Sequence, residues 1–137
     1  MTKVVKKTAF TPAKGRRVSK PLHAGNPYQG PIDLHALKLQ YPETLGSFIS
    51  YSESKSSASF DWKNAEAVRV LTETMLLRDF NLAVKLHPAR LCPTLPNRMN
   101  YLCWLNDLLE HTSQPHVLDI GSGANAIYPV LGHAQFG

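Results

Sequence analysis

The sequence predicts an α/β fold with an incomplete sheet, and three observations support this prediction. Residues 116–120 form a short apolar segment followed by Gly121 and Gly123, which is typical of a buried strand that turns into a helix. Residues 65–79 carry apolar side chains at helical spacing, which predicts a long helix before that strand. Such a glycine turn normally follows the first strand of an open α/β sheet, and Gly137 ends the sequence soon afterwards. We therefore expect only the beginning of the sheet.

The positive charge of the chain is concentrated at one end. Of 15 lysines and arginines, seven lie within residues 1–20, which contain no acidic residue. The other eight are outnumbered by the ten acidic residues of positions 21–137. A basic tail of this kind is typical of nucleic-acid contact or nuclear import, and equally of a solvated arm without a partner.

The elements of the N-terminal part can be predicted in order. Residues 1–31 contain four prolines and no helical period, so we expect a disordered tail. Asp33 is expected to cap a short helix through Lys38, and Pro42 to begin a second helix that includes Ile49. The following residues, 50–59, are rich in serine and are expected to form a loop, with a short strand at 60–62.

Two longer helices are predicted further along. Asn64 is expected to cap the helix over residues 65–79, in which Arg69 and Glu73 form an i,i+4 pair. Residues 98–111 predict the second helix. Its apolar side is expected to carry Tyr101, Leu105 and Leu108.

Between and after these helices, two strands are predicted, at residues 82–86 and 116–120. Residues 87–96 contain three prolines and are expected to be irregular.

Several classes of protein are disfavoured by the composition. Cys92 and Cys103 fit no metal-binding spacing and are expected to be reduced thiols in or near the core, which favours a cytosolic or nuclear compartment. The six histidines form no cluster in the sequence, so we expect no metal site. No apolar run approaches the about 18–20 residues of a membrane span, and we expect no membrane association.

The glycine turn allows three interpretations from its residues alone. Gly121, Gly123 and Ala126 satisfy the spacing of a dinucleotide-binding turn. S-adenosylmethionine needs the same close backbone approach, and Asp119 at the end of the strand suits a cationic methyl donor by charge. A tight turn without a ligand is the third interpretation.

Two longer runs resemble a known family. The first is Leu91-Cys92-Pro93-Thr94-Leu95-Pro96-Asn97-Arg98-Met99-Asn100-Tyr101, and the second extends from Asp119 through Ile127-Tyr128-Pro129 to Gly132. Both resemble the methyltransferase-like-sixteen family of RNA adenine methyltransferases and its bacterial relatives that modify large-subunit ribosomal RNA. The resemblance covers roughly residues 22–137 and implies a Rossmann-like class I methyltransferase fold, preceded by a mainly helical N-terminal module.

The resemblance also implies S-adenosylmethionine as the cofactor. Arg98 matches the family's arginine that contacts the methyl donor, and a guanidinium can fork onto the donor's carboxylate. Gly121 and Asn125 match loop positions that touch the donor. Together with Gly123 from the turn and Asp119 from its charge, these residues form the predicted cofactor site.

The implied partner is a structured RNA with an adenine target. The form of the first run is closer to the eukaryotic branch, which methylates the spliceosomal U-six small nuclear RNA, so a nuclear location is expected and a cytoplasmic one is left open. Lys63 and the tail residues Lys14, Arg16 and Arg17 are predicted to contact RNA phosphates. The family carries cations where this chain has residues 23–29 without any.

No catalytic residue is assigned to this chain. The family's Asn-Pro-Pro-aromatic motif, which holds the target base, has no match here, and the acid expected after a second strand would lie beyond Gly137. We expect an N-terminal piece of such an enzyme, inactive alone, in which the apolar residues of the predicted strand, Ile127 and Val130 lack part of their cover. Its expected division is a tail at 1–31, a helical RNA-facing module at 32–113 and the first strand with its donor loop at 114–137.

The alternative functions are a ribosomal RNA adenine methyltransferase, a non-catalytic RNA-binding remnant and, on the glycine pattern alone, an oxidoreductase.

Overall fold

The structure, a computed structural model, describes residues 21–109, 112 and 114–137. Residues 21–31, expected to belong to a disordered tail, are instead docked on a later helix. The side chain of Asn26 is 1% exposed and donates a 2.9 Å hydrogen bond to the carbonyl oxygen of Pro96. The backbone N–H of His23 donates to the side-chain oxygen of Asn100 at 2.6 Å. The docking depends on polar contacts across some seventy positions of sequence, which composition does not reveal.

Two short helices follow as predicted. Helix α1 spans Leu34–Gln40, and the Asp33 carboxylate accepts a 2.9 Å hydrogen bond from the backbone of Ala36. Helix α2 spans Pro42–Leu45 with its proline in the first turn. Both starts are confirmed because capping and proline geometry depend only on adjacent residues.

A β-hairpin replaces the predicted end of the second helix and the predicted serine-rich loop. Strand β1 spans Ile49–Ser52, strand β2 spans Ser57–Phe60, and they pair antiparallel with Ile49 opposite Phe60. The prediction that Ile49 is helical, the loop at 50–59 and the strand position at 60–62 were therefore wrong. Serine disfavours strands only weakly, and burial of the Ile49–Phe60 pair stabilises the hairpin.

The long helix α3, Ala65–Phe80, confirms its predicted start and buried face. The side-chain oxygen of Asn64 accepts hydrogen bonds from two backbone N–H groups of the first turn. Leu71 and Met75 are buried as the helical period predicts. The helix ends at Asn81, which adopts the left-handed conformation with φ of 55°.

Helix α4 spans Leu95–Leu108 and starts earlier than predicted, because Pro96 fits its first turn. The predicted apolar side of α4 was wrong: Tyr101 and Leu108 are exposed. Two faces of this helix have apolar spacing, and contact with the rest of the core decides which one is buried. The buried residues of α4 are Leu95, Met99, Leu102 and Cys103.

Neither of the two further strands predicted for the second half is present. Within the described residues, the hairpin is the only sheet. Residues 116–120 have no neighbouring strand to pair with, and a strand requires one. In the segment 82–86, the N–H of Leu86 donates to the buried carboxylate of Glu73 at 2.8 Å instead of joining a ladder.

Helix α5, Ile127–Phe136, follows the glycine turn and closes the core. It packs against α4 and α3 and buries Ile127 and Leu131, so the expectation that Ile127 lacks cover was wrong. One continuous core joins side chains from the hairpin and from helices α1 to α5. Cys103 is buried and Cys92 is half-buried, and both are free thiols as predicted.

Among the described residues, no helix is long and apolar enough to cross a membrane. No cluster of three or more potential metal ligands occurs in this part of the chain.

Candidate functional site

The glycine turn has backbone conformations that favour glycine. Gly121 has φ of 80° and Gly123 has φ of 69°, in the left-handed region that side chains with a Cβ rarely adopt. A Cβ atom built on either glycine would meet nothing within 4 Å. The two glycines are therefore required by the turn itself, and the space next to them is open to a ligand.

This open space is part of a cleft of about 720 Å³. The cleft lies between the start of α4, the segment before it, the glycine turn and the start of α5. All of the predicted cofactor-site residues line it, although Arg98 comes from a different part of the sequence from the others. The lining residues are Arg90, Leu91, Pro93, Arg98, Asp119, Ile120, Gly121, Ser122, Gly123, Ala124, Asn125, Ile127 and Tyr128.

Arg98 is held in the cleft by Tyr128, a residue to which the sequence reasoning gave no role. One terminal nitrogen of the guanidinium, Nη1, donates to the Tyr128 hydroxyl at 2.7 Å. The guanidinium carbon lies 5.3 Å from the centre of the tyrosine ring, within the range of a cation–π contact. Tyr128 was visible in the second family-like run, but its contact with Arg98 spans 30 positions and appears only in the folded chain.

Two polar atoms of opposite character are left without partners in this cleft. Arg98 Nε and Asp119 Oδ2 are buried, and neither has a hydrogen-bond partner among the described residues. An unpaired buried donor or acceptor costs about 1–3 kcal/mol, more for a charged group. A zwitterionic ligand with a carboxylate and a cationic group would satisfy both atoms.

Asn125 ties the glycine turn to the opposite wall of the cleft. Its side-chain nitrogen donates to the carbonyl oxygen of Leu91 at 3.2 Å. Asn125 therefore has a structural role in joining these two segments, and its contact with the methyl donor stays a prediction.

The segment that carries Leu91 is anchored to α3 through Glu73. The carboxylate accepts hydrogen bonds from the N–H of Leu86 at 2.8 Å, from Lys85 at 3.0 Å and from Arg69 at 3.1 Å. Burial alone would raise the pKa of Glu73, but these hydrogen bonds and the Lys85 charge lower it below its ordinary value. The predicted Arg69–Glu73 pair is thus confirmed as part of a larger network.

The predicted RNA-contacting residues lie away from the cleft or outside the described residues. Lys63 is exposed just before α3, and its backbone N–H donates to the Asp61 carboxylate at 3.0 Å. Lys14, Arg16 and Arg17 belong to residues 1–20, which the structure does not describe.

The cation-free segment 23–29 uses its polar groups in contacts with the rest of the chain. The imidazole of His23 lies 2.7 Å from the Asp107 carboxylate and packs edge-on against Trp104 at 4.7 Å between ring centres. These contacts hold the segment on α4.

A comparison with known families identifies the family of this chain. A family model described as RNA methyltransferase matches residues 16–137. The chain belongs to this RNA methyltransferase family. The resemblance stated from the two sequence runs is thereby confirmed.

Curated relatives extend this result. A U6 small nuclear RNA (adenine-(43)-N(6))-methyltransferase of Caenorhabditis elegans is 40% identical over 119 residues, which are 84% of this chain and 24% of that protein. A ribosomal RNA large subunit methyltransferase F of Psychrobacter sp. (strain PRwf-1) is 34% identical over 137 residues, covering 95% of this chain and 41% of that protein.

Solved structures of the family have the same fold. The hMettl16 catalytic domain in complex with MAT2A 3'UTR hairpin 6 matches with a TM-score of 0.76 and 39% identity, over 85% of this chain and 41% of that one. The N-terminal domain of human METTL16 in complex with SAH matches with a TM-score of 0.74 and 38% identity, over 85% of this chain and 46% of that one. The predicted fold class, the N-terminal portion of a Rossmann-like methyltransferase domain, is confirmed. The chain spans less than half the length of these relatives and solved domains.

Proposed function

We propose that this chain forms the methyl-donor-binding and RNA-facing part of an S-adenosylmethionine-dependent RNA adenine-N(6) methyltransferase. The observation that carries the proposal is the cleft at the glycine turn. It brings Arg98 from α4 to the residues of the glycine turn, Asp119, Gly121, Gly123 and Asn125. It also leaves one hydrogen-bond donor, on Arg98, and one hydrogen-bond acceptor, on Asp119, without a partner among the described residues.

The roles in donor binding follow from this chemistry. Arg98 binds the carboxylate of the donor's amino-acid part, Asp119 attracts its cationic groups, and the glycines let the backbone approach the ligand. When bound, S-adenosylmethionine supplies an activated methyl group. The contribution of these residues is to bind and orient the donor, so that transfer depends on proximity.

The RNA-facing role is assigned to the basic tail and to Lys63. Lys14, Arg16 and Arg17 supply phosphate contacts in the tail, and Lys63 adds an exposed cation beside α3. The corresponding division is a basic tail at 1–20, a helical module at 21–113 that includes the docked residues 21–31, and a donor region at 114–137. A structured RNA is the proposed partner because a family member was solved with an RNA hairpin.

A small nuclear RNA target and a nuclear location are the finer parts of the proposal. They are supported by the Caenorhabditis elegans relative, which is named as a U6 small nuclear RNA methyltransferase. The capture of the target base is not assigned to any residue here, because no segment matches the Asn-Pro-Pro-aromatic motif.

Titration of the 137-residue chain with S-adenosylhomocysteine tests the donor site. Arg98→Ala should weaken binding ten- to a hundredfold, about 1.5–3 kcal/mol, because it removes a charge-assisted pair. The control is Arg78→Ala, which removes an arginine outside the cleft and should leave the affinity unchanged. An Arg98→Ala affinity within twofold of wild type would remove Arg98 from the site, and tight NADH binding in place of the homocysteine compound would contradict a methyl-donor site.

Gel shifts with RNA test the second half of the proposal. Deletion of residues 1–20 should weaken RNA binding and reduce its salt dependence, because it removes seven cations. Unchanged affinity at low and at moderate salt would show that the tail is not the RNA contact.

A ribosomal RNA target is the second candidate, and the bacterial relative that covers 95% of the chain favours it. Competition between a U6 small nuclear RNA hairpin and a large-subunit ribosomal RNA fragment distinguishes the two. Preferential displacement by the ribosomal fragment would favour the second candidate.

A further inference from the structure

We infer that Tyr128 is a positioning residue for Arg98, and that it directs the Nε edge of the guanidinium towards the donor's carboxylate. The inference rests on the proposed donor site and deepens it. It starts from the 2.7 Å hydrogen bond between Arg98 Nη1 and the Tyr128 hydroxyl.

The tyrosine is well placed to fix the arginine. Tyr128 is the second residue of α5, immediately after Ile127, whose side chain is buried in the core. Its ring packs edge-on against Tyr101 of α4, with 5.1 Å between the ring centres and an angle of 62°. The hydroxyl is therefore held by the packing of two helices, and not by the exposed part of the glycine turn.

The geometry of the guanidinium then determines which edge is available. A guanidinium offers its N–H groups in a rigid planar fork, and two parallel N–H groups can bind one carboxylate. Nη1 donates one of its hydrogens to Tyr128, whereas the edge formed by Nε and Nη2 has no hydrogen-bond partner among the described residues and is the fork left for a carboxylate. Nε is buried and has no partner among the described residues, so a carboxylate at this edge would remove an unfavourable unpaired donor.

The substitution Tyr128→Phe tests the inference because it removes only the hydroxyl. The ring, its packing on Tyr101 and its contact with the guanidinium remain. We expect S-adenosylhomocysteine to bind about three- to tenfold more weakly to Tyr128→Phe than to the wild-type chain, as for the loss of one hydrogen bond to a charged group. The matched control is Tyr101→Phe, which removes the hydroxyl of the neighbouring ring and should change the affinity by less than twofold.

A ligand without a carboxylate separates positioning from a general structural effect. Methylthioadenosine has the adenosine part of the donor but no amino-acid group, so Tyr128→Phe should bind it as the wild type does. In the Arg98→Ala background, adding Tyr128→Phe should change S-adenosylhomocysteine binding by less than twofold, because the group that Tyr128 positions is gone.

The other possible results distinguish the role of Tyr128 from the existence of the donor site. Equal weakening of both ligands by Tyr128→Phe, or an undiminished effect in the Arg98→Ala background, would overturn the positioning role. Unchanged binding in Tyr128→Phe together with a large loss in Arg98→Ala would overturn this inference alone and leave the donor site intact. A wild-type chain that binds no S-adenosylhomocysteine would overturn both.

Discussion

The packed helices and the segment before the glycine turn contain the same kinds of apolar residue in opposite environments. Leu76 of α3 and Met99 of α4 are fully buried, whereas Leu118 is 82% exposed and Ile120 is 87% exposed. A helix satisfies its own backbone and needs only one covered face, but a parallel strand needs a neighbouring strand to pair with and cover on both faces. The comparison shows that an apolar sequence specifies burial only where a partner surface exists.

The donor cleft lies where the packed helices meet the exposed segment before the glycine turn. The glycine turn follows the exposed segment, yet α5 immediately after it is packed on α4 and α3. Arg98, Tyr128 and the Asn125–Leu91 contact lie on the packed side or connect the turn to it. The position of the cleft thus depends on two helices more than on the predicted strand.

The largest expected effect is a difference in stability between two leucine truncations. Leu76→Ala should lower the free energy of unfolding by about 2–5 kcal/mol, because it leaves a cavity in the core. Leu118→Ala, the matched change in the exposed segment, should alter it by less than about 0.5 kcal/mol. Urea unfolding measures both values. Similar losses in the two variants would mean that residues 116–120 are buried in solution, and the comparison would fail.

A smaller effect is expected at Asn26, which tests whether residues 21–31 belong to the packed region. Asn26→Ala should cost about 1–3 kcal/mol, because the Pro96 carbonyl and the Tyr28 N–H each lose the hydrogen bond to the buried Asn26 side chain. Asn97→Ala, a change at an exposed asparagine in the first turn of α4, provides the control and should be nearly neutral. Equal unfolding free energies for the two variants would mean that residues 21–31 are not part of the packed region.

The smallest effect concerns the dependence of stability on pH. The pKa of Glu73 is lowered in the folded state. The stabilisation that its carboxylate provides is therefore fully present above the ordinary glutamate pKa of 4.5 and is lost as the pH falls through the folded-state pKa. Glu73→Gln should therefore be less stable than wild type at neutral pH, and the difference should shrink as the pH falls below 4.5.

Urea unfolding across this pH range measures the Glu73 contribution, with Glu66→Gln as the control. Glu66 is an exposed glutamate on the same helix, and its replacement should leave the pH profile unchanged. A stability difference for Glu73→Gln that stays constant as the pH falls would show that the carboxylate charge does not anchor residues 85–86.

Much of the candidate site could be predicted from the sequence, but its geometry could not. The glycine turn was identified from its spacing, Asp119 from its charge and Arg98 from the family resemblance, and all of them line one cleft. Tyr128 was missed as a partner of Arg98 because its role depends on the packing of α5 against α4. The roles of Lys63 and of Lys14, Arg16 and Arg17 stay predictions.

The sequence by itself determined the features whose physical causes lie within a few residues. Asp33 and Asn64 cap their helices through their own side chains, Pro42 suits a first turn, and Gly121 and Gly123 permit left-handed backbone. Tertiary structure alone decided features that require a distant partner. The buried face of α4, the hairpin in the serine-rich segment, the docking of Asn26 on Pro96 and the exposure of residues 116–120 are of this kind. Local hydrogen bonds and allowed dihedral angles are encoded in adjacent residues, whereas burial and strand pairing depend on which surface the rest of the chain provides.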